Sequence, residues 1–239
     1  MNRTLILTDV SEVLVSGLYG IGDRITERRL PSLVRKYGEE EGRKRARAAG
    51  EHIWKLIQDT EAEFQELLRG KLTEEQYWDI TLNYNDILIE EVKEAFSDNL
   101  KRIVPGTLNV YQRIVRYPVS PKPGCTEFID GMPEIVILSD HIENRVLELS
   151  LIHPDIFKVV SGAYWSYSLG KIKRDPGCFE LVLQCLGRDP SGIIAIDDSR
   201  RNILAAEAAG MNGIIFKDAA RLESVLRDAY HFEFAPKIP

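Results

Sequence analysis

Five short runs of consecutive apolar residues punctuate the chain: "TLILT" at 4–8, "IVIL" at 135–138, "FKVV" at 157–160, "IIAI" at 193–196 and "GIIF" at 213–216. They are rich in Ile and Val and do not alternate with polar residues. That pattern predicts strands of a parallel sheet covered on both faces. Between the later runs the spacing becomes helical. "PGCFELVLQCLG" aligns Phe179, Val182, Leu183 and Leu186 on one stripe and stops at Gly187, and "RRNILAAEAAG" is rich in helix formers and ends on Gly210. Strands alternating with helices predict an open, doubly wound α/β sheet with right-handed crossovers.

From about residue 20 to residue 100 the strand signal vanishes and charged, helical periodicity takes over. "EHIWKLIQDTEAEFQELLRG" aligns Ile53, Ile57, Phe64 and Leu67 or Leu68. In "TEEQYWDI", Thr73 with Gln76 three residues on forms a capping box that starts a helix. "NDILIEEVKEAF" supplies another amphipathic helix. The expected organisation is an α/β core made of residues 1–15 and 101–239, with an α-helical module at 16–100 inserted after the first strand. Gly17, Gly20 and Gly22 in "SGLYGIG" suit a hinge into that module. The four prolines and two glycines of "YPVSPKPGCTEFIDGMP" (117–133) predict a loop before the second strand.

A length of 239 residues accommodates such a core plus a smaller domain. The formal net charge of −6 gives no broad electrostatic footprint for nucleic acid. Cys125, Cys178 and Cys185 fit neither a disulfide framework nor a closed zinc set, and Cys178 and Cys185 read as small core residues. A reducing, cytoplasmic compartment is expected. The first apolar run is cut at Asp9, too short for a signal peptide's core or for a membrane span.

In an open parallel sheet, ligands gather outside the carboxyl ends of the strands. The first run ends in Thr8-Asp9, the second in Ser139-Asp140 and the fourth in Asp197-Asp198-Ser199. Carboxylates converging on one rim repel each other unless a cation neutralises them, and hard oxygen ligands suit Mg²⁺. A carboxylate there can also attack phosphorus to form an aspartyl-phosphate.

Four segments stand in order along the chain: "LILTDVSEVL", "IVILSD", "KIKRDPGCF" and "IIAIDDSRRNILAAEAAGMNGIIF". They are similar to the four motifs of the haloacid dehalogenase superfamily of phosphatases and related hydrolases, which the chain resembles. In the third, matching Asp175, Pro176 and Phe179 places the family lysine at Lys173 rather than Lys171, and Arg174 stands where a proline is usual. The resemblance implies a helical cap at the insert. It implies Asp9 as nucleophile and Mg²⁺ ligand, Asp198 as a second metal ligand with Asp197 alongside, and a backbone carbonyl ligand from Ser11. Ser139 would donate a hydrogen bond to the transferring phosphoryl, Lys173 would neutralise its charge, and Asn202 would orient Lys173 or a ligand water.

Position 11 departs from the family pattern. Family phosphatases usually carry an Asp there as general acid and base, and losing such a group costs about 10²–10⁴ in rate. Glu12 is the nearest carboxylate, but one step along the turn aims it differently. Three functions follow. One is a Mg²⁺-dependent phosphatase of a small phosphorylated metabolite. Another is a 2-haloacid dehalogenase-like hydrolase, in which halide leaves unprotonated and no metal is needed. The third is a binding or regulatory protein that kept the fold and lost turnover. Asp197, Asp198 and Asp140 favour the phosphatase. Specificity is expected from the cap and the 117–133 loop. His52, His141 and His153 lack metal-ligand spacing and read as surface or satisfied residues. "RKRAR" (43–47), after "EEE" (39–41), reads as a solvated helix face; a minority reading sends one of its arginines to the active site as the cap closes.

Overall fold

The computed structural model describes residues 3–17, 20–83 and 85–237. Strand β1 (Leu5–Thr8) is followed by five helices: α1 (Ile21–Tyr37), α2 (Glu39–Asp59), α3 (Glu61–Leu68), α4 (Glu74–Leu82) and α5 (Asp86–Leu100). The remainder begins with α6 (Thr107–Gln112), β2 (Ile114–Pro118), β3 (Phe128–Asp130), β4 (Glu134–Ser139), α7 (Glu143–Ile152) and α8 (Pro154–Val159). It continues with β5 (Gly162–Trp165), α9 (Ser166–Leu169), α10 (Cys178–Leu186), β6 (Ile193–Asp197), α11 (Arg200–Ala208), β7 (Asn212–Ile215), α12 (Ala219–Tyr230) and β8 (Glu233–Phe234). β5, β4, β1, β6 and β7 form, in that order, a parallel five-stranded sheet. This is the doubly wound α/β core, with a helical cap inserted after its first strand. No helix among the described residues is long and apolar enough to cross a membrane.

β1 lies at the centre of the sheet and all four of its residues are buried. Its two faces feed separate apolar clusters. Ile6 joins a large one that runs on into the cap through Ile21, Ile53, Trp78 and Phe96, whereas Leu5 and Leu7 pack with Val182, Ile203 and Ala206 of α10 and α11. Burial on both faces is why the strands read as unbroken apolar runs.

Two expected elements differ. "FKVV" (157–160) is no strand: Pro154 opens α8, whose Ile156 and Val159 are buried one helical turn apart. The strand follows it, as β5 "GAYW", whose Gly162 is exposed and whose Ala163 and Tyr164 are half-buried. An edge strand needs no continuous apolar run, so its signal was weaker than that of the helix before it. The 117–133 stretch is also not wholly a loop. Its ends belong to β2 and β3, paired antiparallel with Tyr117 opposite Ile129, and β8 completes a three-stranded sheet. Thr4 Oγ1 donates to Pro118 O at 2.7 Å, which places this sheet beside the amino end of β1. That is the rim opposite Asp9, so the stretch does not line the site where specificity would be set.

In the cap, Thr73 and Gln76 make the expected capping box, with Thr73 Oγ1 accepting from Gln76 N at 3.2 Å and Gln76 Oε1 accepting from Thr73 N at 2.9 Å. The apolar stripe of 51–70 is split at Thr60, whose hydroxyl donates to Leu56 O at 2.9 Å. Gly22 lies inside α1 rather than at a hinge. It touches Gly50 of α2 so closely that a Cβ added to Gly50 would fall 2.2 Å from Gly22 O. Leu18 and Tyr19, between the other two glycines, lie outside the described residues. Cys185 is exposed, not core, while Cys178 is buried; all three cysteines are free thiols.

Candidate active site

The parallel sheet delivers its strand ends to one rim, and the expected residues meet there. Asp9 follows β1 directly, its N–H donating to Ile196 O of β6 at 2.9 Å, so the central strand's register fixes where its carboxylate points. Oδ1 accepts the Val10 N–H at 2.7 Å. Oδ2 lies 2.6 Å from Lys173 Nζ, and the same ammonium lies 2.6 Å from Asp197 Oδ2 at the end of β6. Lys173, Asp9 and Asp197 are 3%, 6% and 5% exposed, so this bridge is sheltered from solvent. Carboxylate oxygens of Asp9, Asp197 and Asp198 lie within 4.8 Å of one another.

The two adjacent acids of the fourth motif differ in their surroundings. Asp197 is occupied by protein groups: its Oδ1 accepts from Ser199 N at 2.8 Å, and Asn202 Nδ2 lies 3.0 and 3.1 Å from its two oxygens. Asn202 therefore braces Asp197, the carboxylate that also holds the Lys173 ammonium. Asp198 is half-buried and faces a polar cleft of about 590 Å³ lined also by Glu12, Arg24, Asn99, Arg102 and Lys217.

Electrostatically the rim holds too much negative charge. Burial, reinforced by Asp197, pushes the Asp9 carboxyl up to about 7 against the opposing pull of Lys173. Burial also raises Asp198, again with help from Asp197, and it raises Asp140 despite Lys173. For Lys173, burial works against the charge, but Asp197, Asp9 and Asp140 outweigh it and hold the ammonium well above the ordinary lysine range. The buried ammonium of Lys173 thus faces more carboxylate than it can neutralise. An added divalent ion would relieve this imbalance, and the donor set of hard oxygens suits Mg²⁺.

Ser139, the last residue of β4, supports the same fit. Its Oγ is buried without a hydrogen-bond partner among the described residues, although it lies near enough to Asp9 to draw that carboxyl's pKa down. A buried hydroxyl left unpaired costs about 1–3 kcal/mol, which suits a group kept for a ligand oxygen.

Ser11 sits in a tight turn in which Leu14 N and Val15 N both donate to Val10 O, at 2.8 and 3.0 Å. Its side chain packs against Gly17, where an added Cβ would fall 3.0 Å from Ser11 Cβ. Glu12 adopts a left-handed φ of 60°, and its Oε1 accepts the Gly17 N–H at 2.7 Å. The carboxylate next to the missing acid is therefore tied to the outgoing linker.

Other candidates lie elsewhere. Arg43 and Arg45 pair with Glu39 and Glu41 on the exposed face of α2, and Arg47 is exposed as well, as expected of a solvated helix face. His153 Nε2 is 2.7 Å from Leu100 O. His141 is neither surface nor satisfied: it is buried, its Nε2 has no partner among the described residues, and burial pushes its pKa down to about 4. Its Nδ1 accepts the Ile142 N–H at 3.1 Å, so the neutral ring carries its proton on Nε2. The sequence reading also missed the backbone support of Lys173, whose N–H donates to Asp140 Oδ1 at 2.9 Å. The Ser139-Asp140 pair was its only local signal.

A carboxylate-rich rim on a doubly wound core, under an inserted helical cap, is an arrangement of a hydrolase class. The family model described as haloacid dehalogenase-like hydrolase matches residues 4–210, and the chain belongs to that family. No curated protein matches the chain by sequence. Among solved structures, a predicted HAD-like family hydrolase from Porphyromonas gingivalis is similar over 95% of this chain and 100% of its own, with 17% identity and a TM-score of 0.63. A HAD family enzyme from Bacteroides thetaiotaomicron, in complex with magnesium and inorganic phosphate, is similar over 90% of this chain and 95% of its own, with 14% identity and a TM-score of 0.55. The defluorinating L-2-haloacid dehalogenase Rha0230 is similar over 88% of this chain and 80% of its own, with 15% identity and a TM-score of 0.53.

Proposed function

We propose that the protein is a Mg²⁺-dependent phosphatase of a small phosphorylated metabolite, acting through Asp9. The observation that carries this reading is the cluster of carboxylates at buried Asp9 and Asp197 and half-buried Asp198, near a buried hydroxyl, Ser139, that has no hydrogen-bond partner among the described residues. Asp9, Asp198 and the Ser11 carbonyl would hold Mg²⁺, with Asp197 alongside; the ion would supply charge neutralisation for the phosphoryl group and keep Asp9 ionised. The magnesium and phosphate held by the Bacteroides thetaiotaomicron enzyme agree with this assignment.

In the first step an Asp9 oxygen attacks phosphorus, the bond to the leaving oxygen breaks, and the phosphoryl group is carried on Asp9. Lys173 balances charge on the transferring group and Ser139 donates a hydrogen bond to one of its oxygens. Water then attacks the phosphorus of the aspartyl-phosphate, releasing inorganic phosphate and regenerating Asp9. With Ser11 in place of an acid, the leaving oxygen takes its proton from water, which favours acyl or anomeric phosphates over simple alkyl esters. The net charge of −6 supports a small-molecule substrate rather than nucleic acid, and the free thiols are in keeping with a cytoplasmic setting.

Ser11 also motivates a second reading, a dehalogenase in which Asp9 attacks carbon and halide leaves without a proton; Rha0230 is a neighbour of that activity. The test is phosphate release from sugar phosphates, acyl phosphates and p-nitrophenyl phosphate, with Mg²⁺ and with EDTA, beside an Asp9→Asn control. Mg²⁺-dependent release lost in the control supports the phosphatase. Halide release from 2-haloacids that persists in EDTA replaces it with the dehalogenase, and neither release leaves a fold kept for binding.

A further inference from the structure

The loop between α9 and α10, residues 170–177, carries Lys173, and it is gripped from two sides. From the core, Asp140 takes the Lys173 backbone N–H. From the cap, Arg69 makes a two-pronged contact with Asp175: Nε donates to Oδ2 at 2.8 Å and Nη2 donates to Oδ1 at 2.5 Å. Asp175 Oδ2 also accepts the Ile172 N–H at 3.0 Å, so one carboxylate joins the cap to the turn that holds the lysine. The guanidinium holds the Asp175 carboxyl down at about 2.

The opposite end of α3 grips the same loop with reversed polarity. Arg174 Nη1 donates to Glu61 Oε1 at 2.9 Å, so a core cation meets a cap anion there. Gly70, just past α3, approaches so closely that an added Cβ would fall 2.8 Å from Tyr167 O of α9. Arg69 is further fixed by Glu66 at 2.8 Å, and the Arg69 and Asp175 side chains are only 16% and 18% exposed. A forked Arg–carboxylate contact sets plane and orientation as well as distance. Arg174 also occupies the position where a proline would fix φ; the cap contacts restrain the loop that proline would otherwise stiffen.

We propose that Arg69 and Asp175 are positioning residues for Lys173, so that docking of α3 on the loop sets the ammonium between Asp9 and Asp197. A four-carbon side chain bridging two carboxylates at 2.6 Å each tolerates little backbone drift. The inference rests on Asp9 and Lys173 being the reacting pair, and it applies to attack on phosphorus or on carbon.

The test compares the wild-type chain with Arg69→Met, Asp175→Asn, the double variant and Arg69→Lys, using p-nitrophenyl phosphate with Mg²⁺. Hydrogen exchange is read at the Ile172 and Lys173 amides in the same proteins. Asp175→Asn keeps an acceptor for Ile172 and so spares the turn's own hydrogen bond. The expected result is a loss in kcat of about ten- to a hundredfold in each single variant, with KM moving less than about threefold. The double variant should be no worse than either single, Arg69→Lys should recover part of the loss, and the two amides should exchange faster in Arg69→Met. Unchanged kcat, losses that multiply in the double variant, or a lowered unfolding temperature with unchanged exchange at 172–173 would each overturn the proposal. If the wild type hydrolyses no phosphate ester, the phosphatase reading fails by itself. The exchange measurement then decides this one, and unchanged amides overturn it.

Discussion

Charge is handled in opposite ways on the two sides of the cleft between core and cap. On the rim of the sheet the buried ammonium of Lys173 faces four carboxylates, Asp9, Asp140, Asp197 and Asp198, and the carboxyls whose pKa moves are pushed up. Along the seam with the cap, charges are matched instead: Glu74 meets Arg145, Asp175 meets Arg69 and Glu61 meets Arg174. A matched seam holds two bodies together. An unmatched rim is costly to fold and makes sense only where something from outside completes it. The comparison separates residues that serve chemistry from residues that serve docking.

The largest effect expected from breaking that comparison is on the rim. Asp9→Asn should lower turnover by on the order of 10⁴-fold or more, since removing a nucleophile leaves only binding and charge effects; a variant retaining a tenth of the activity would remove Asp9 from the mechanism. Lys173→Met should cost on the order of 10²–10³ in kcat. It should also lower the metal-free unfolding temperature, because the buried Asp9 and Asp197 carboxylates then lose the cation they share, and added Mg²⁺ should restore part of that loss. A stability change that Mg²⁺ leaves untouched would mean that the lysine is only a structural bridge.

On the seam the emphasis reverses. Arg145 and Glu74 are both buried, and Glu74 also accepts from Trp78 Nε1 at 3.1 Å. Arg145→Met leaves that carboxylate without its cation and should cost about 3 kcal/mol of stability, measured by denaturant unfolding, with turnover reduced less than about tenfold. Equal losses in both quantities would erase the distinction.

A smaller and sharper effect concerns pH. Asp9 sits at about 7 through burial and Asp197, above its unfolded value, so the protonated form is the one the metal-free fold prefers. Its stabilising contribution is complete below the unfolded value of about 4 and is lost as pH rises through about 7. Mg²⁺ needs the ionised carboxylate. The rise in unfolding temperature caused by Mg²⁺ should therefore be larger at about pH 8 than at about pH 5.5, and a rise independent of pH would count against Asp9 as a ligand. At the bottom of the scale, Arg43→Ala removes an exposed pair with Glu39 on α2 and should shift stability by less than about 0.5 kcal/mol with no change in turnover.

What the sequence disclosed follows the same division. The central strands were legible because burial on both faces forces unbroken apolar runs, and each run ended on the group the rim needed. Thr73 was legible as a helix start because its capping box is local. β5 was not, since an edge strand with Gly162 at its start carries little apolar signal. The pairing of β2 with β3, which reaches into 117–133, was hidden because two short strands flank a proline-rich stretch. Arg69 and Glu61 were invisible for a different reason: their partners lie 106 and 113 residues away, and nothing near either residue marks it. Asn202 was found, but its partner was not, since spacing places a side chain on a helix without choosing between two neighbours at the rim.

The contact between Gly22 and Gly50 bears on how far the cap tolerates change. The two backbones meet where any side chain would run into the facing helix: a methyl group at position 50 would lie 2.2 Å from Gly22 O and 2.3 Å from Thr26 Oγ1. Gly50→Ala should therefore force α1 and α2 apart, so the crossing of these two helices is a place where the cap accepts glycine and nothing larger.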